Sequence, residues 1–189
     1  MRAIADEQLI RWVADGDSSC LATLFERHHR SVYRFCLQLT RNPAQSEDLV
    51  QDVFLRMLRK AKSFRGDGSF KGWMFNIARN VTLDHLRKSS KHHDQPLSDE
   101  LLDSEHVDTR TAERAAADSQ RINRVMKALN QLPAAAQEVI WLGRFEFDNY
   151  EDLGQALACT ANTARVRMHR AMAALNSTYK SIYGVPVDA

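Results

Sequence analysis

Residues 150–171 read YEDLGQALACTANTARVRMHRA. Asn149 stands at a helix N-cap position, and Leu153 and Leu157 are spaced to point inward from a short helix. Residues 158–160 then indicate a turn, with Thr160 as the cap of a second and longer helix. In a helix-turn-helix the second helix enters the DNA major groove. This stretch therefore predicts a DNA-binding unit.

The second helix of this unit carries cationic and amide side chains, and no acidic residue follows position 161 within it. Arginine can read guanine through two hydrogen bonds, while threonine and asparagine can hold phosphate. A solvated helix in a bundle is the alternative for this segment taken alone. The candidate DNA-contacting residues are Asn162, Thr163, Arg165, Arg167 and Arg170.

An earlier stretch, residues 64–88, reads FRGDGSFKGWMFNIARNVTLDHLRK. Aromatic side chains interleaved with Lys and Arg are typical of surfaces that stack the bases of single-stranded nucleic acid. At helical spacing, however, Phe70 and Trp73 are better explained by packing in a core than by base contact.

One face of the same stretch is polar. Asn76, Asn80 and Asp84 recur every four residues and therefore share one side of a helix. Amides and a carboxylate on a basic face can hydrogen-bond to base edges. A capping or ion-pairing role at the helix surface is the alternative for Asn80 and Asp84.

The composition predicts an all-α fold of two small domains. The 189 residues include only seven Gly and four Pro, and long Val/Ile alternations are missing. The net charge is only +2, but residues 56–93 hold ten Lys/Arg against two Asp. Residues 94–118 hold eight acids against two Arg, with few large apolar side chains. We therefore expect two basic helical domains joined by a flexible acidic linker.

Several classes of function are disfavoured. Three cysteines without CxxC spacing are typical of buried thiols in a reducing compartment, and no apolar run is long enough for a membrane span. The pair His28-His29 cannot share one metal on a helix, since adjacent helical residues point to opposite sides, and the pair His92-His93 lies in the linker without a third ligand. We expect a cytoplasmic protein that is not an enzyme, with no metal, cofactor, small-molecule substrate or membrane contact.

Four blocks in this order carry a family resemblance. They are EDLVQDVFLRML (residues 47–58), the stretch at 64–88, ALNQLPAAAQEVIWL (residues 128–142) and the helix-turn-helix at 150–171. Together they resemble the extracytoplasmic-function (group IV) sigma factors of bacterial RNA polymerase. The resemblance implies a region 2-like domain at 1–90, a linker at 91–118, a region 4-like domain at 119–180 and a tail at 181–189.

The resemblance also implies partners and sites. Core RNA polymerase would bind through its β′ clamp and β flap, and promoter DNA at the −10 and −35 elements; an anti-sigma factor is left open as a further partner. Four residues match the −35 helix: Thr163, Arg165, Arg167 and Arg170. The clamp-binding residues would be Glu47, Asp48, Gln51 and Asp52, and the −10 residues Asn76, Arg79, Asn80, Asp84, Arg87 and Lys88.

Two departures from the family pattern stand out. Ser46 occurs within Gln-Ser-Glu-Asp where the family usually has Asp-Ala-Glu-Asp, which suggests that phosphorylation could restore the lost charge. Gly154 and Ala158 exchange the positions where Ala and Gly are usual. A helix-turn-helix regulator that binds duplex DNA without polymerase remains the alternative function.

Overall fold

The structure, a computed structural model, describes residues 4–66, 68–89 and 112–184, with side chains from residue 119 onward in the last range. Every regular element in these ranges is helical, as the composition predicts. The helices are α1 (Asp6–Ala14), α2 (Cys20–Thr40), α3 (Pro43–Lys60), α4 (Phe70–Ser89), α5 (Ala112–Asn130), α6 (Ala134–Trp141), α7 (Tyr150–Ala156) and α8 (Ala161–Tyr183). A 3-10 turn (Ala61–Ser63) follows α3, and a π-helical segment (Leu142–Glu146) follows α6.

Local sequence signals set the junction between α2 and α3. Arg41 adopts a left-handed backbone conformation with φ of 53° and ends α2. Asn42 then caps α3 by accepting a 3.1 Å hydrogen bond from the Gln45 amide, and Pro43 occupies the first helical position. Proline suits that position because it lacks the N–H that a first-turn residue leaves unpaired.

Ser46 lies inside this junction, which overturns its suggested phosphorylation. The residue is fully buried, and its hydroxyl donates a 2.7 Å hydrogen bond to the Asn42 carbonyl oxygen. The Thr40 hydroxyl lies 2.9 Å away. A phosphate could not enter this space without unfolding the start of α3.

The first unit, α1 to α4, has a continuous apolar core. Ile10, Leu24, Phe35, Met57 and Phe75 are fully buried in it. The core explanation is confirmed for Phe70, which is buried, and Phe64 and Phe75 are buried as well. Trp73 is half-buried, and its ring packs against Phe64 and Phe70.

The second unit, α5 to α8, packs around Leu142, Leu153, Leu157 and Leu175. The predicted caps of the helix-turn-helix are confirmed. Asn149 accepts a hydrogen bond of 2.8 Å from the Asp152 amide, and Thr160 one of 3.2 Å from the Thr163 amide.

Two helices extend beyond the expected domain limits. Helix α5 begins at Ala112, so the last seven residues of the expected 91–118 linker are helical. Helix α8 continues to Tyr183, into the expected tail. Residues 91–111 and 185–189 of these segments lie outside the described residues.

The two units also contact each other directly, through α4 against α7 and α2 against α6. Gln38 of α2 donates hydrogen bonds to Asn130 (3.0 Å) and Gln137 (3.2 Å) of the second unit. The ring of Phe75 meets that of Phe147 edge-on at 5.7 Å between centroids. In this arrangement the two expected domains are therefore packed against each other.

Candidate nucleic-acid interface

Helix α8 presents the predicted −35 surface. Ala164 and Met168 point into the core, so the side chains between them face outward. Arg165 lies over the ring of Tyr150 at 5.2 Å from its centroid, which orients the guanidinium beside the helix start. Thr163 is half-buried next to the Thr160 cap, whereas Asn162, Arg165, Arg167 and Arg170 are exposed.

The turn before α8 explains the exchanged Gly and Ala. Ala158 has a positive φ of 52°, a conformation that favours glycine. A Cβ atom at Gly154 would lie 2.7 Å from the carbonyl oxygen of Cys159. The missing side chain at Gly154 therefore lets the turn close onto α7, while Ala158 adopts a strained conformation.

The polar face of α4 forms as predicted. The Asn80 amide donates a 3.3 Å hydrogen bond to the Asn76 side-chain oxygen, so these residues share one side. Asp84 lies 2.8 Å from Arg87 and 3.9 Å from Arg56, which matches the ion-pairing alternative for this carboxylate. Asn80, Arg87 and Lys88 are exposed.

Two residues of this face are covered by the second unit. The Asn76 amide donates hydrogen bonds to the carbonyl oxygens of Gln155 (3.4 Å) and Ala156 (3.2 Å). The Arg79 guanidinium donates a 2.9 Å hydrogen bond to the Glu138 carboxylate. The polar groups of Asn76 and Arg79, both predicted to contact the −10 element, are therefore bound to the second unit in this arrangement.

Glu138 is the acidic centre of the contact between the units, with only 1% of its surface exposed. Burial raises the pKa of its carboxyl group above the usual value. The hydrogen bond and the charge of Arg79 lower this pKa in part, as do the charges of Arg167 and Arg87. Arginines of both candidate DNA-binding helices thus act electrostatically on one buried carboxylate, which contacts Arg79 directly.

A second contact surrounds the Gln155 side chain of α7. Its oxygen accepts a 3.1 Å hydrogen bond from the Ser69 amide. A Cβ atom added at Gly68 or at Gly72 would approach the Gln155 carboxamide to 2.6 Å. The two glycines therefore form a notch that the Gln155 side chain occupies. Nearby, the Lys71 ammonium lies 2.8 Å from the Glu146 carboxylate.

A separate surface on α3 carries the residues predicted to contact polymerase. Glu47, Asp48, Gln51 and Asp52 are all exposed. Leu55, one turn further on, is 48% exposed, although it is a large apolar residue. The opposite side of α3 is buried in the first unit, so this exposed strip is available to a partner.

Comparison with known proteins matches each of the two units to a family model. The model of Sigma-70 region 2 matches residues 24–92, and that of Sigma-70 region 4 matches residues 122–175. The ECF RNA polymerase sigma factor SigM of Mycobacterium tuberculosis is 30% identical over 171 residues, which cover 90% of this chain and 83% of that protein. The chain belongs to the extracytoplasmic-function sigma factors.

Other relatives of this sigma factor match along nearly the whole chain. The RNA polymerase sigma-H factor of Pseudomonas aeruginosa is 26% identical over 185 residues, with 94% of this chain and 95% of that protein covered. Among solved structures, the sigma factor RpoE of Bartonella quintana in complex with the anti-sigma factor NepR has a TM-score of 0.62. It is 25% identical and covers 84% of this chain and 96% of its own. CnrH in complex with the cytosolic domain of CnrY shares the fold, with a TM-score of 0.67, 22% identity and coverage of 94% and 99%.

His28 and His29 of this sigma factor each contact a side chain of the first unit. His28 pairs with Asp6 at 2.7 Å, and the His29 ring stacks on Phe25 with 4.9 Å between centroids. His92 and His93 lie outside the described residues. In the described part of the chain, no three His, Cys, Asp or Glu side chains are grouped to hold a metal ion. Over the same part, no helix is long and apolar enough to cross a membrane.

Sequence reasoning missed three groups that the structure brings into these surfaces: Leu55, Glu138 and Gln155. Leu55 carried a usable signal, because an apolar residue off the buried stripe of α3 is a candidate partner contact. Glu138 carried a weaker one, as an acid within the apolar run of residues 128–142. Nothing in the local sequence distinguishes Gln155 from any exposed glutamine.

Proposed function

We propose that this sigma factor holds promoter DNA at two places while α3 attaches it to RNA polymerase. In this proposal α8 reads the −35 element as duplex, and the polar face of α4 holds a separated strand at the −10 element. One observation carries it: a cationic recognition helix and a polar face with basic residues at its end occur on one chain that also exposes an acidic strip.

The −35 step needs no strand separation. The major groove accepts an α-helix, and Arg165, Arg167 and Arg170 project from the exposed side of α8. Arginine binds the O6 and N7 atoms of guanine through two donors, and each such pair contributes about 1–3 kcal/mol of discrimination. The N-terminal end of α8, with Asn162 and Thr163, is placed to hold phosphate.

The −10 step requires bases to leave the stack. Unstacking costs a few kcal/mol per base, which a protein offsets with hydrogen bonds to the exposed base edges. Asn76 and Asn80 supply donors and acceptors for such edges on one side of α4. Arg87 and Lys88, at the end of the helix, supply positive charge for the backbone of the same strand.

Attachment to polymerase uses the exposed strip of α3. Acidic residues beside an exposed Leu55 combine charge complementarity for a basic partner surface with an apolar anchor. We assign this strip to the β′ clamp and the second unit to the β flap. A sigma factor acts where the polymerase acts, so we place the chain in the cytoplasm.

Regulation by an anti-sigma factor extends the proposal. The relative RpoE of Bartonella quintana was solved with such a partner. The same exposed surfaces of α3 and α8 that serve polymerase and DNA are the ones that an inhibitor would need to cover.

The decisive experiment is run-off transcription. Core polymerase with and without the purified chain is supplied with fragmented genomic DNA, and the 5′ ends of the transcripts are sequenced. We expect a small set of start sites that require the chain and share two sequence elements upstream. A helix-turn-helix regulator would instead bind duplex DNA on its own and create no new start sites, and that outcome would refute the sigma assignment of the two surfaces.

A further inference from the structure

Tyr150 of α7 lies beneath one arginine of the recognition helix. The guanidinium carbon of Arg165 is placed over the Tyr150 ring, 5.2 Å from its centroid. Within about 6 Å of the centroid, a guanidinium is attracted by the negative charge on the face of an aromatic ring. Tyr150 is the first residue of α7, and Arg165 stands in the second turn of α8. The contact therefore joins the two helices of the helix-turn-helix.

We propose that Tyr150 is a positioning residue for base reading at the −35 element, because its ring holds Arg165 in the orientation that reaches a base. The inference rests on the proposed function, since it takes α8 as the helix that reads the −35 duplex. It adds a specificity-determining role for a residue outside α8, and it assigns that role to the ring of Tyr150 rather than to its hydroxyl group.

The Tyr150 ring is itself held in place by the fold. Its side chain is half-buried and packs against the apolar core. Asn149 fixes the start of α7 by accepting a 2.8 Å hydrogen bond from the Asp152 amide. Thr160 fixes the start of α8 in the same way, with a 3.2 Å hydrogen bond from the Thr163 amide. The ring and the guanidinium thus project from two capped helix starts, which sets the distance between them.

This type of contact leaves Arg165 able to bind DNA. A carboxylate accepts hydrogen bonds from a guanidinium, as Glu138 does from Arg79 at 2.9 Å. A ring attracts the cation through its charge and requires none of its five N–H donors. Arg165 is also exposed, so its donors are available for the O6 and N7 atoms of guanine.

An arginine that is oriented before binding loses less conformational freedom when it binds. A free arginine side chain has high rotamer entropy, and part of this entropy is lost when the guanidinium is fixed against a base. The Tyr150 ring removes part of that loss in advance, and such preorganisation raises affinity. The gain applies only to the DNA contacts that Arg165 makes, so it should appear as discrimination at one position of the −35 element.

The test separates the ring from the hydroxyl group. Tyr150→Phe keeps the ring, whereas Tyr150→Leu removes it and keeps an apolar side chain against the core. Tyr183→Leu is the matched control, because Tyr183 is also half-buried and lies under a guanidinium, that of Arg124 at 5.5 Å, at the far end of α8. Fluorescence anisotropy at a fixed salt concentration measures the affinity of the full chain for a −35 duplex taken from a promoter of the run-off experiment.

We expect Tyr150→Leu to bind the −35 duplex about two- to fivefold more weakly than wild type. Tyr150→Phe and Tyr183→Leu should bind like wild type. Equal affinities of Tyr150→Leu and Tyr183→Leu would overturn the proposal. A loss in Tyr150→Phe as large as that in Tyr150→Leu would also overturn it, because the hydroxyl group would then be the part of the side chain that acts.

A double-variant cycle shows whether Tyr150 acts through Arg165. When Arg165→Ala is already present, adding Tyr150→Leu should have no further effect, whereas a merely structural role would lower affinity in both backgrounds. Duplexes changed at single base pairs locate the pair that wild type distinguishes and Arg165→Ala does not. Tyr150→Leu should lose discrimination at that same pair. Equal losses in the two backgrounds, or no such base pair, would contradict the proposal.

Because loss of the ring can also unfold the second unit, Tyr150→Met is measured in parallel, and circular dichroism gives the helicity of each variant. The flexible methionine side chain fills the same space without an aromatic face. Retained helicity with weakened binding supports the positioning role, and retained helicity with wild-type affinity contradicts it. Failure of the proposed function is seen separately, as a wild-type chain that binds the −35 duplex no better than an unrelated duplex of equal length.

Discussion

Ala158 is the residue at which this helix-turn-helix departs most clearly from an unstrained backbone. Its positive φ is disfavoured for any residue with a Cβ atom by about 1–2 kcal/mol. Ala158→Gly should therefore raise the free energy of unfolding by about 1 kcal/mol and the melting temperature by about 2–4 °C. Circular dichroism during heating measures both.

Ala173→Gly is the matched control for that substitution. Ala173 is exposed in the middle of α8, where glycine costs about 1 kcal/mol relative to alanine. The same chemical change should thus stabilise at position 158 and destabilise at position 173. Gly154→Ala should also destabilise, since its Cβ would meet the Cys159 carbonyl oxygen. Equal effects of glycine at 158 and 173 would show that the turn is not strained.

The three thiols should differ in reactivity. Burial raises the pKa of Cys36 to about 11, and burial also raises the pKa of Cys20. Cys159, in the turn of the helix-turn-helix, is half-exposed, contrary to the expectation that all three are buried. Only the thiolate reacts rapidly with alkylating reagents. In native protein at pH 7.5, iodoacetamide should modify Cys159 first and leave Cys36 unmodified.

Peptide mass spectrometry after timed quenching locates the label. The same protein in denaturant is the control, since all three cysteines should then react at similar rates. Rapid modification of Cys36 in the native chain would mean that the α2–α4 core opens on the timescale of the reaction, and it would count against the packing described here.

At the scale of the helix, α4 should act on DNA without acting on polymerase. Asn80 is exposed and donates only to Asn76 among the contacts described for it. Asn80→Ala should weaken formation of the open promoter complex by about 1–3 kcal/mol if the amide reads a base edge. Binding of core polymerase, measured by pull-down, should be unchanged. Asn123→Ala, an exposed asparagine of α5, is the control and should change neither quantity.

Substitutions on α3 should instead affect the binding of polymerase and leave the binding of DNA unchanged. Asp48→Arg changes the sign of one charge on the exposed strip, and like charges facing each other across an interface cost several kcal/mol. We expect loss of core polymerase binding, while the affinity of the second unit for −35 duplex DNA does not fall. Asp148→Arg makes the same charge change at an exposed site away from α3. Equal losses of polymerase binding in both variants would remove α3 from the polymerase interface.

The starts of the helices and the residues that share one helix side could be predicted from sequence, because both depend on residues only three or four positions apart. Asn149 and Thr160 cap helices through amides only three residues away, and the Asn76–Asn80 pair follows from the helical period. The apolar residues that recur along α3, such as Leu49, Val53 and Met57, show which side of the helix is buried. Leu58 belongs to the same apolar series but is 39% exposed. Periodicity therefore gives the inward side of a helix and leaves its neighbours undetermined.

At the scale of the whole molecule, the arrangement of the two units could not be predicted. Arg79 and Glu138 are 59 positions apart, and Ser69 and Gln155 are 86 positions apart. Neither pair has a sequence spacing that favours contact. Each contact depends on how the two folded units pack against each other. The candidate −10 residues were thus found by pattern, while the fact that Asn76 and Arg79 are covered required the structure.

At the scale of the whole molecule, the free chain should bind promoter DNA weakly and should act on promoters only together with polymerase. Its net charge of +2 gives little long-range attraction to DNA, and the cations of α4 are partly neutralised by Glu138 and Glu146. We therefore expect strong promoter binding only when polymerase supplies further contacts with DNA.

Permanganate footprinting distinguishes an opened promoter from bound duplex, because the reagent oxidises thymines that have left the base stack. We predict that thymines of the −10 element become reactive only when core polymerase and the chain are both present, and that Asn80→Ala reduces this reactivity. Protection of the promoter by the chain alone, with every thymine still unreactive after core polymerase is added, would contradict the assignment of this chain's surfaces to promoter opening.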